Sequence, residues 1–293
     1  MDDVCLRART KDHLELTVAL TTTTCRSAQA IHGLGWTSGV AMSRLLTCAG
    51  LMAVSSKREG KTSLQILSKA RIGRMLVDAT HSGELRGMLG NPGLAFPRAG
   101  ETKRPVIAPA LLPGKVSVVR RGAAGDYIQS MTPLVLGEVD RDIEFFIEQS
   151  DQVLTGLAAD VLLGEQSRIE VAGGLLVQAL PDGDPEHLSA IRERVVAGGL
   201  IPMLREAPNA EALLREVEPE AELVDEPVPL RWYCPCSRER ALNAVRLMGP
   251  NELSQMVVKN EPVRVDCDFC TSQYEITVQD LEQLVAETTT AEG

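Results

Sequence analysis

Apolar and polar positions alternate at Leu14, Leu16, Val18 and Leu20, the period-two pattern of a strand with one buried face. Over residues 39–53 the rhythm changes, and Val40, Leu45, Cys48, Leu51 and Met52 fall at helical spacing. Strand-like runs return at residues 63–67, 74–78, 84–89, 116–120 and 127–131, divided by the turns Gly90-Asn91-Pro92-Gly93 and Pro113-Gly114. Residues 142–149 predict a short amphipathic helix ahead of an apolar run at 153–163. Strands in succession with helices grouped rather than alternating predict α+β, an N-terminal mixed sheet-and-helix domain over residues 1–180, and not a doubly wound parallel sheet.

The pattern shifts after the turn cluster Pro181-Asp182-Gly183-Asp184-Pro185. Residues 186–196 predict a helix whose apolar face carries Leu188, Ile191 and Val195. Residues 205–226 then hold eight acids and two bases, with Pro208, Pro219 and Pro227 nearby. That composition describes a weakly held helical linker, residues 181–231, more than a core element; a solvated helical hairpin belonging to the first domain is the other reading. Residues 232–293 form a third region. There Ser237 can cap a helix through Ala241, Val245 and Met248, and Asn251 can cap another holding Leu253, Met256 and Val257. A strand over 273–278 and a helix over 281–286 complete a module too small to stand without a staple.

Composition narrows the functions open to such a chain. Its 293 residues are 44% hydrophobic, enough for a sizeable core and roughly two domains, and the formal net charge is -10. An acidic balance disfavours nucleic acid as a partner, since backbone binding needs a broad basic footprint. Residues 57–74, with six bases against one acid, are the local exception. Asp2 and Asp3 stand where a secretory signal would carry bases, and the apolar stretch 40–54 is interrupted by Ser43 and Arg44 and is short for a bilayer. A cytosolic protein that does not engage membranes is expected.

In that compartment thiols stay reduced, so seven cysteines suggest metal ligands, redox groups or small core residues rather than a disulfide framework. Cys5, Cys25 and Cys48 are scattered and read as small buried or incidental residues, whereas Cys234-Pro235-Cys236 and Cys267-Asp268-Phe269-Cys270 place two thiol pairs in one stretch. Four thiolates satisfy tetrahedral zinc. Arg231, Arg238, Arg240, Lys259 and Arg264 lie near these ligands in sequence and can stabilise thiolates or attract anionic oxidants. A site closed by four protein ligands leaves no position for water, so hydrolytic zinc chemistry is not expected and the chain does not read as an enzyme. Ligand chemistry remains: oxidation of Cys234 or Cys270 to a sulfenic acid lets a neighbouring thiol condense to a disulfide, and two disulfides would leave the metal without ligands.

The segment Tyr233-Cys234-Pro235-Cys236-Ser237-Arg238-Glu239-Arg240, with the distal C-x-x-C at Cys267 and Cys270, resembles the 33 kDa chaperonin family of redox-regulated heat-shock holdases. Further matches are Val171-Ala172-Gly173-Gly174-Leu175-Leu176-Val177-Gln178, Gly83-Glu84-Leu85-Arg86-Gly87 with Asn91-Pro92, and Ser150-Asp151-Gln152. The resemblance implies a substrate-binding domain, a helical linker and a C-terminal zinc domain whose reduced form holds one zinc on Cys234, Cys236, Cys267 and Cys270 and is inactive. It further implies that oxidation pairs Cys234 with Cys236 and Cys267 with Cys270, expels zinc and unfolds the linker. By the same resemblance the protein would then bind unfolding clients without ATP, as a homodimer. Two positions depart from the family pattern: Ser68-Lys69-Ala70-Arg71 replaces a glycine-rich turn, and Asp151 replaces a glutamate.

Rival motifs are weaker. His13-Leu14-Glu15 gives the first half of a zinc deaminase signature, but Pro235-Cys236 is followed by Ser237-Arg238-Glu239 and not by a second cysteine. A thioredoxin-like dithiol at Cys267 and Cys270 should open a helix, yet a strand-like run follows. Gly33-Leu34-Gly35 lacks the third glycine of a dinucleotide loop and reads as a turn. The main alternative is a structural zinc module that binds a specific protein or RNA without switching. Apolar linker residues Leu213, Leu214 and Leu223 are candidates for client contact, although no pattern locates that surface.

Overall fold

The computed structural model describes residues 2–56, 59–97 and 105–291. In chain order the elements are β1 (Val4–Arg9), β2 (Leu14–Leu20), α1 (Thr22–His32), α2 (Trp36–Ser55), β3 (Gly60–Ser68), β4 (Arg74–Thr80), β5 (Glu84–Leu89), α3 (Ala108–Leu111), β6 (Gly114–Gly122), β7 (Tyr127–Pro133), α4 (Val139–Ser150), β8 (Thr155–Leu163) and β9 (Ile169–Ala179). There follow α5 (Pro185–Arg194), α6 (Leu200–Glu206), α7 (Ala210–Val217), the two-residue strands β10 (Glu222–Leu223), β11 (Val228–Pro229) and β12 (Arg231–Trp232), then α8 (Arg238–Arg246), α9 (Pro250–Lys259), β13 (Val263–Asp266), β14 (Gln273–Ile276) and α10 (Val278–Ala291). The architecture is α+β, and contacts divide the chain into two compact units, residues 1–233 and 234–293.

The first unit is built around α2. One sheet runs β10-β1-β2-β9-β8, with β11 also on β1; the other runs β12-β5-β4-β3-β6-β7. Residues 37–54 of α2 are all buried, in one cluster with Leu64, Ile66, Val77 and Leu85 of the second sheet and Leu157, Ala159 and Leu176 of the first. By length and composition α2 could cross a membrane, but here it is a core helix. Its Arg44, fully buried, donates to Glu138 at 2.6 Å and Asp160 at 3.0 Å, which compensates the charge inside the protein. The helix is longer than the spacing over 39–53 indicates, because Gly33 ends α1 in the left-handed conformation and Gly35 leads straight into α2.

The outer face of the first sheet is buried too. Leu14, Leu16, Val18 and Leu20 of β2 join Leu188, Ile191, Val195, Leu200, Leu204, Leu213, Leu214 and Val217 of the following helices in a second cluster. Residues 181–231 therefore pack on the first unit: Asp184 caps α5, Asn209 caps α7, and β10 and β11 pair with β1 while β12 pairs with β5. Their acids occupy the solvent side and their leucines, Leu223 excepted, the protein side, a split that composition alone averages away. Leu213 and Leu214 are fully buried, and Leu223 is exposed.

Close approaches explain the glycines of the family-like segments. A Cβ on Gly83, at φ +85, would meet the Pro229 carbonyl oxygen at 2.1 Å, and one on Gly173 would meet the Ala19 carbonyl oxygen and Leu204 at 2.6 Å. Strand β9 lies between helices on both faces, so its pattern is continuous rather than alternating. Of the basic run at 57–74, Lys57 and Arg58 lie outside the described residues, Lys61 pairs with Asp78 at 2.7 Å, and Arg71 sits over the Phe96 ring at 6.0 Å. Asp151, the departure from the family pattern, grips Arg120 through two hydrogen bonds of 2.9 and 2.6 Å.

Within the second unit, Ser237 caps α8 by accepting from the Arg240 amide at 3.2 Å, as its sequence position indicates. The expectation at Asn251 is corrected: Gly249 at φ +89 is the cap residue and Pro250 opens α9, so Asn251 is already helical. The predicted strand at 273–278 ends at Ile276, and the closing helix starts at Val278, because Thr277 and Asp280 cap it reciprocally through Asp280 Oδ2 and Thr277 Oγ1.

Candidate metal centre

Two local structures carry the paired thiols. Cys234 and Cys236 occupy the extended segment before α8, where Pro235 fixes its own φ and Ser237 starts the helix. Cys267 and Cys270 occupy the turn of the β13–β14 hairpin, whose register runs from Val263 opposite Ile276 to Asp266 opposite Gln273. The Cys267 amide donates to the Ser272 carbonyl at 2.9 Å and the Thr271 amide to the Cys267 carbonyl at 2.8 Å, with Thr271 at φ 59. A strand, and not a helix, follows Cys270, which removes the context of a thioredoxin-like dithiol.

All four sulfurs lie within 4.8 Å of one another. Cys234 Sγ is 3.7 Å from Cys267 Sγ, and Cys236 Sγ is 3.2 Å from Cys270 Sγ. Sulfurs at about 2.3 Å from a tetrahedral ion stand about 3.8 Å apart, so the donor set and its spacing fit one zinc-like cation. Among the described residues these four form the one group placed to hold a metal ion. All are half-buried, reachable by a small oxidant. His13 lies exposed in the β1–β2 turn at φ 63 and is not part of the group, which leaves the deaminase motif without its metal.

Polar neighbours differentiate the thiols. Tyr274 Oη donates to Cys236 Sγ at 3.0 Å, and that bond to a sulfur raises the phenol to about 12. Ser272 Oγ lies 3.3 Å from Cys270 Sγ; against the upward push of burial, the Ser272 hydroxyl and amide hold the Cys270 thiol down at about 7. Burial pushes the Cys267 thiol up. Sequence alone marks Tyr274 only as an aromatic near the cysteines; its role comes from the hairpin register, which sets it opposite Val265. Three of the five cations expected beside the ligands are engaged with carboxylates: Arg238 with Asp280 at 2.5 Å, Arg264 with Asp266 at 2.9 Å and, in the first unit, Arg231 with Glu84 at 2.6 Å. Arg240 and Lys259 are exposed. Cys5, Cys25 and Cys48 are fully buried, and burial raises Cys25 to about 12, so these three behave as small core residues.

A hairpin turn and a capped helix start thus converge four sulfurs on one point, a donor set that by itself satisfies a tetrahedral zinc-like ion. Such a site can tie two elements together and can be oxidised.

The family model described as Hsp33 protein matches residues 3–277. The 33 kDa chaperonin of Synechococcus elongatus is 31% identical over 278 residues, 93% of either chain. That of Streptococcus pneumoniae is 30% identical over 270 residues, 91% of this chain and 92% of its own. The crystal structure of the 33 kDa chaperonin from Thermotoga maritima superposes with a TM-score of 0.87 at 22% identity, covering 99% of this chain and 100% of that one, and so shows the shared fold.

Proposed function

Because the chain belongs to the Hsp33 protein family, a family of chaperones and not of enzymes, we propose that it is a cytosolic, ATP-independent holdase, inactive while its four thiolates hold zinc and active once they are oxidised. The supporting observation is the convergence of Cys234, Cys236, Cys267 and Cys270 in a unit whose buried apolar core, among the described residues, is Ala241, Val245, Leu253, Ile276, Leu281 and Leu284. Bound there, zinc would neutralise the thiolates and cross-link the hairpin to the start of α8.

The redox step balances with a peroxide as oxidant. One thiolate attacks the peroxide oxygen, the O–O bond breaks, and a sulfenic acid forms with release of hydroxide. A second thiolate displaces hydroxide from that sulfur and closes the disulfide. Each disulfide consumes one peroxide and two electrons, and two disulfides leave no thiolate to hold a cation. The family pairing joins Cys234 with Cys236 and Cys267 with Cys270. The 3.2 Å approach of Cys236 to Cys270 makes a cross-link between the motifs the competing outcome, which peptide mapping of the oxidised protein distinguishes.

Clients would bind the apolar area now covered by residues 181–231. Lifting the helical segment would bare Leu14, Leu16, Val18 and Leu20 together with Leu213 and Leu214, all fully buried in the closed state. Light scattering of an unfolding client tests the proposal: oxidised protein should suppress aggregation without nucleotide and reduced protein should not. Equal suppression by both forms, or by neither, would return the site to a purely structural role, and the protein to a specific partner rather than to general clients.

A further inference from the structure

Both ring nitrogens of His187, near the start of α5, face carboxylates: Nδ1 lies 2.5 Å from Asp12 Oδ2 and Nε2 lies 2.9 Å from Glu218 Oε2. A neutral imidazole has one N–H and one acceptor nitrogen, so it can satisfy only one such partner; the imidazolium satisfies both. The three residues come from separate places. Asp12 is in the β1–β2 turn, His187 in the first turn of α5, and Glu218 is the residue at which α7 ends. The imidazole therefore joins the two ends of the helical stretch 185–217 to each other and to the sheet they cover. Backbone bonds reinforce the same corner, with the Asp184 amide donating to the Asp12 carbonyl at 3.1 Å and the Leu180 amide to that of His13 at 3.0 Å.

We propose that His187, as an imidazolium donating to Asp12 and Glu218 at once, is a titratable clasp that closes residues 185–217 over the first sheet and loosens when it gives up its proton. The clasp belongs to the first unit and stands whether or not the cysteines act as a switch.

The surrounding charges support a cation at this position. Hydrogen bonding to Asp12 raises the His187 pKa above its ordinary value, with burial opposing and the Glu218 charge adding. Asp12 moves the opposite way: partial burial pushes it up, but hydrogen bonds from Thr10 and His187 leave it below the usual carboxylate range. A cation in the first turn of a helix works against the helix dipole, so the two carboxylates must outweigh that cost. Asp184, which caps α5 through the amides of Glu186 and His187, and Glu186 add negative charge at the same helix start. The cations of these elements are occupied elsewhere. Lys11 pairs with Glu220 at 3.1 Å, Arg192 with Glu144 at 2.5 Å, Arg194 donates to the Val217 carbonyl, and Arg215 donates to the carbonyls of Pro219 and Ala221. His13, which follows Asp12 in the turn, is exposed.

A raised folded pKa stabilises the closed form fully below the unfolded value, about 6.5, and the contribution is lost as pH rises through the folded pKa. The experiment compares amide exchange of residues 185–217 in the reduced full-length protein and in His187→Gln at matched pH, so that intrinsic exchange cancels. The ratio of opening, variant over wild type, should be largest and flat below about pH 6.5, then fall by at most about tenfold per pH unit to a plateau. Imidazole titration by NMR, with the His187 signal assigned by its absence in the variant, is independent of how well any variant folds. Its midpoint should lie above about 6.5 and drop in Asp12→Asn and in Glu218→Gln. A pH-independent ratio, or a midpoint at the ordinary value that neither carboxylate substitution moves, would overturn the clasp.

Discussion

Removing the metal from the reduced protein should unfold residues 234–291 and spare the first unit. Among the described residues the second unit has six buried apolar residues, one of them Ala241, where the first unit has two clusters spanning both faces of a sheet. Folded domains are stable by about 5–15 kcal/mol in total, and structural zinc contributes about 10–16 kcal/mol of apparent binding energy to the small modules that use it. Losing the ion thus withdraws as much free energy as such a unit can possess. Without the ion, four thiols with sulfurs no more than 4.8 Å apart would also repel one another as they ionise. The assay is amide exchange by mass spectrometry after chelation under reductant, comparing β13 and β14 with β8 and β9. Peptides from the hairpin should exchange at unfolded-chain rates, and those from the central strands should keep their protection. If the hairpin stayed protected by more than about a hundredfold, equivalent to about 2.7 kcal/mol, the metal would not be what holds this unit together.

Three further outcomes follow from particular contacts. Tyr274→Phe removes the hydroxyl that donates to Cys236 at 3.0 Å; metal affinity measured by chelator competition should fall by about 10–100-fold, with the fold unchanged by circular dichroism. Leu213→Ala empties a fully buried position in α7 and should cost about 2–5 kcal/mol, seen as faster proteolysis within 185–217 and some aggregation suppression without oxidant; unaltered proteolysis would place no cover function there. Asp78, despite burial, is held below the ordinary carboxylate range by Lys61, Ser63 and Arg86. Its contribution is therefore present above about pH 3.9 and lost as pH falls through the folded pKa, and Asp78→Asn should flatten the acid limb of the first unit's stability curve.

Much of the first unit was legible because the strands of its second sheet alternate. Residues 63–67, 74–78, 84–89, 116–120 and 127–131 all lie within β3, β4, β5, β6 and β7. The elements that escaped are those whose environment hides the pattern. In β1, Arg7 and Arg9 break the apolar rhythm because both reach the nearly buried Glu15 on the neighbouring strand. Helix α1 opens with Thr22-Thr23-Thr24 and buries small residues, Cys25 and Ala28, so its apolar stripe is faint. The charged run 205–226 conceals α7, whose leucines are spaced for a sheet that lies two hundred residues earlier. At the metal centre, cysteine spacing marks the four thiols, but the contribution of Tyr274 depends on a hairpin register, and three of the five cations beside the ligands in sequence turn to carboxylates.

One ion, four thiolates and a surface uncovered when they are oxidised make up the proposed switch. Titrating the purified reduced protein with peroxide while recording released metal, free thiols and client light scattering in the same sample tests this directly. One equivalent of zinc should leave as four thiols disappear, and suppression of aggregation should rise along the same curve. Suppression already complete before any metal leaves, or metal retained after the thiols are gone, would contradict it.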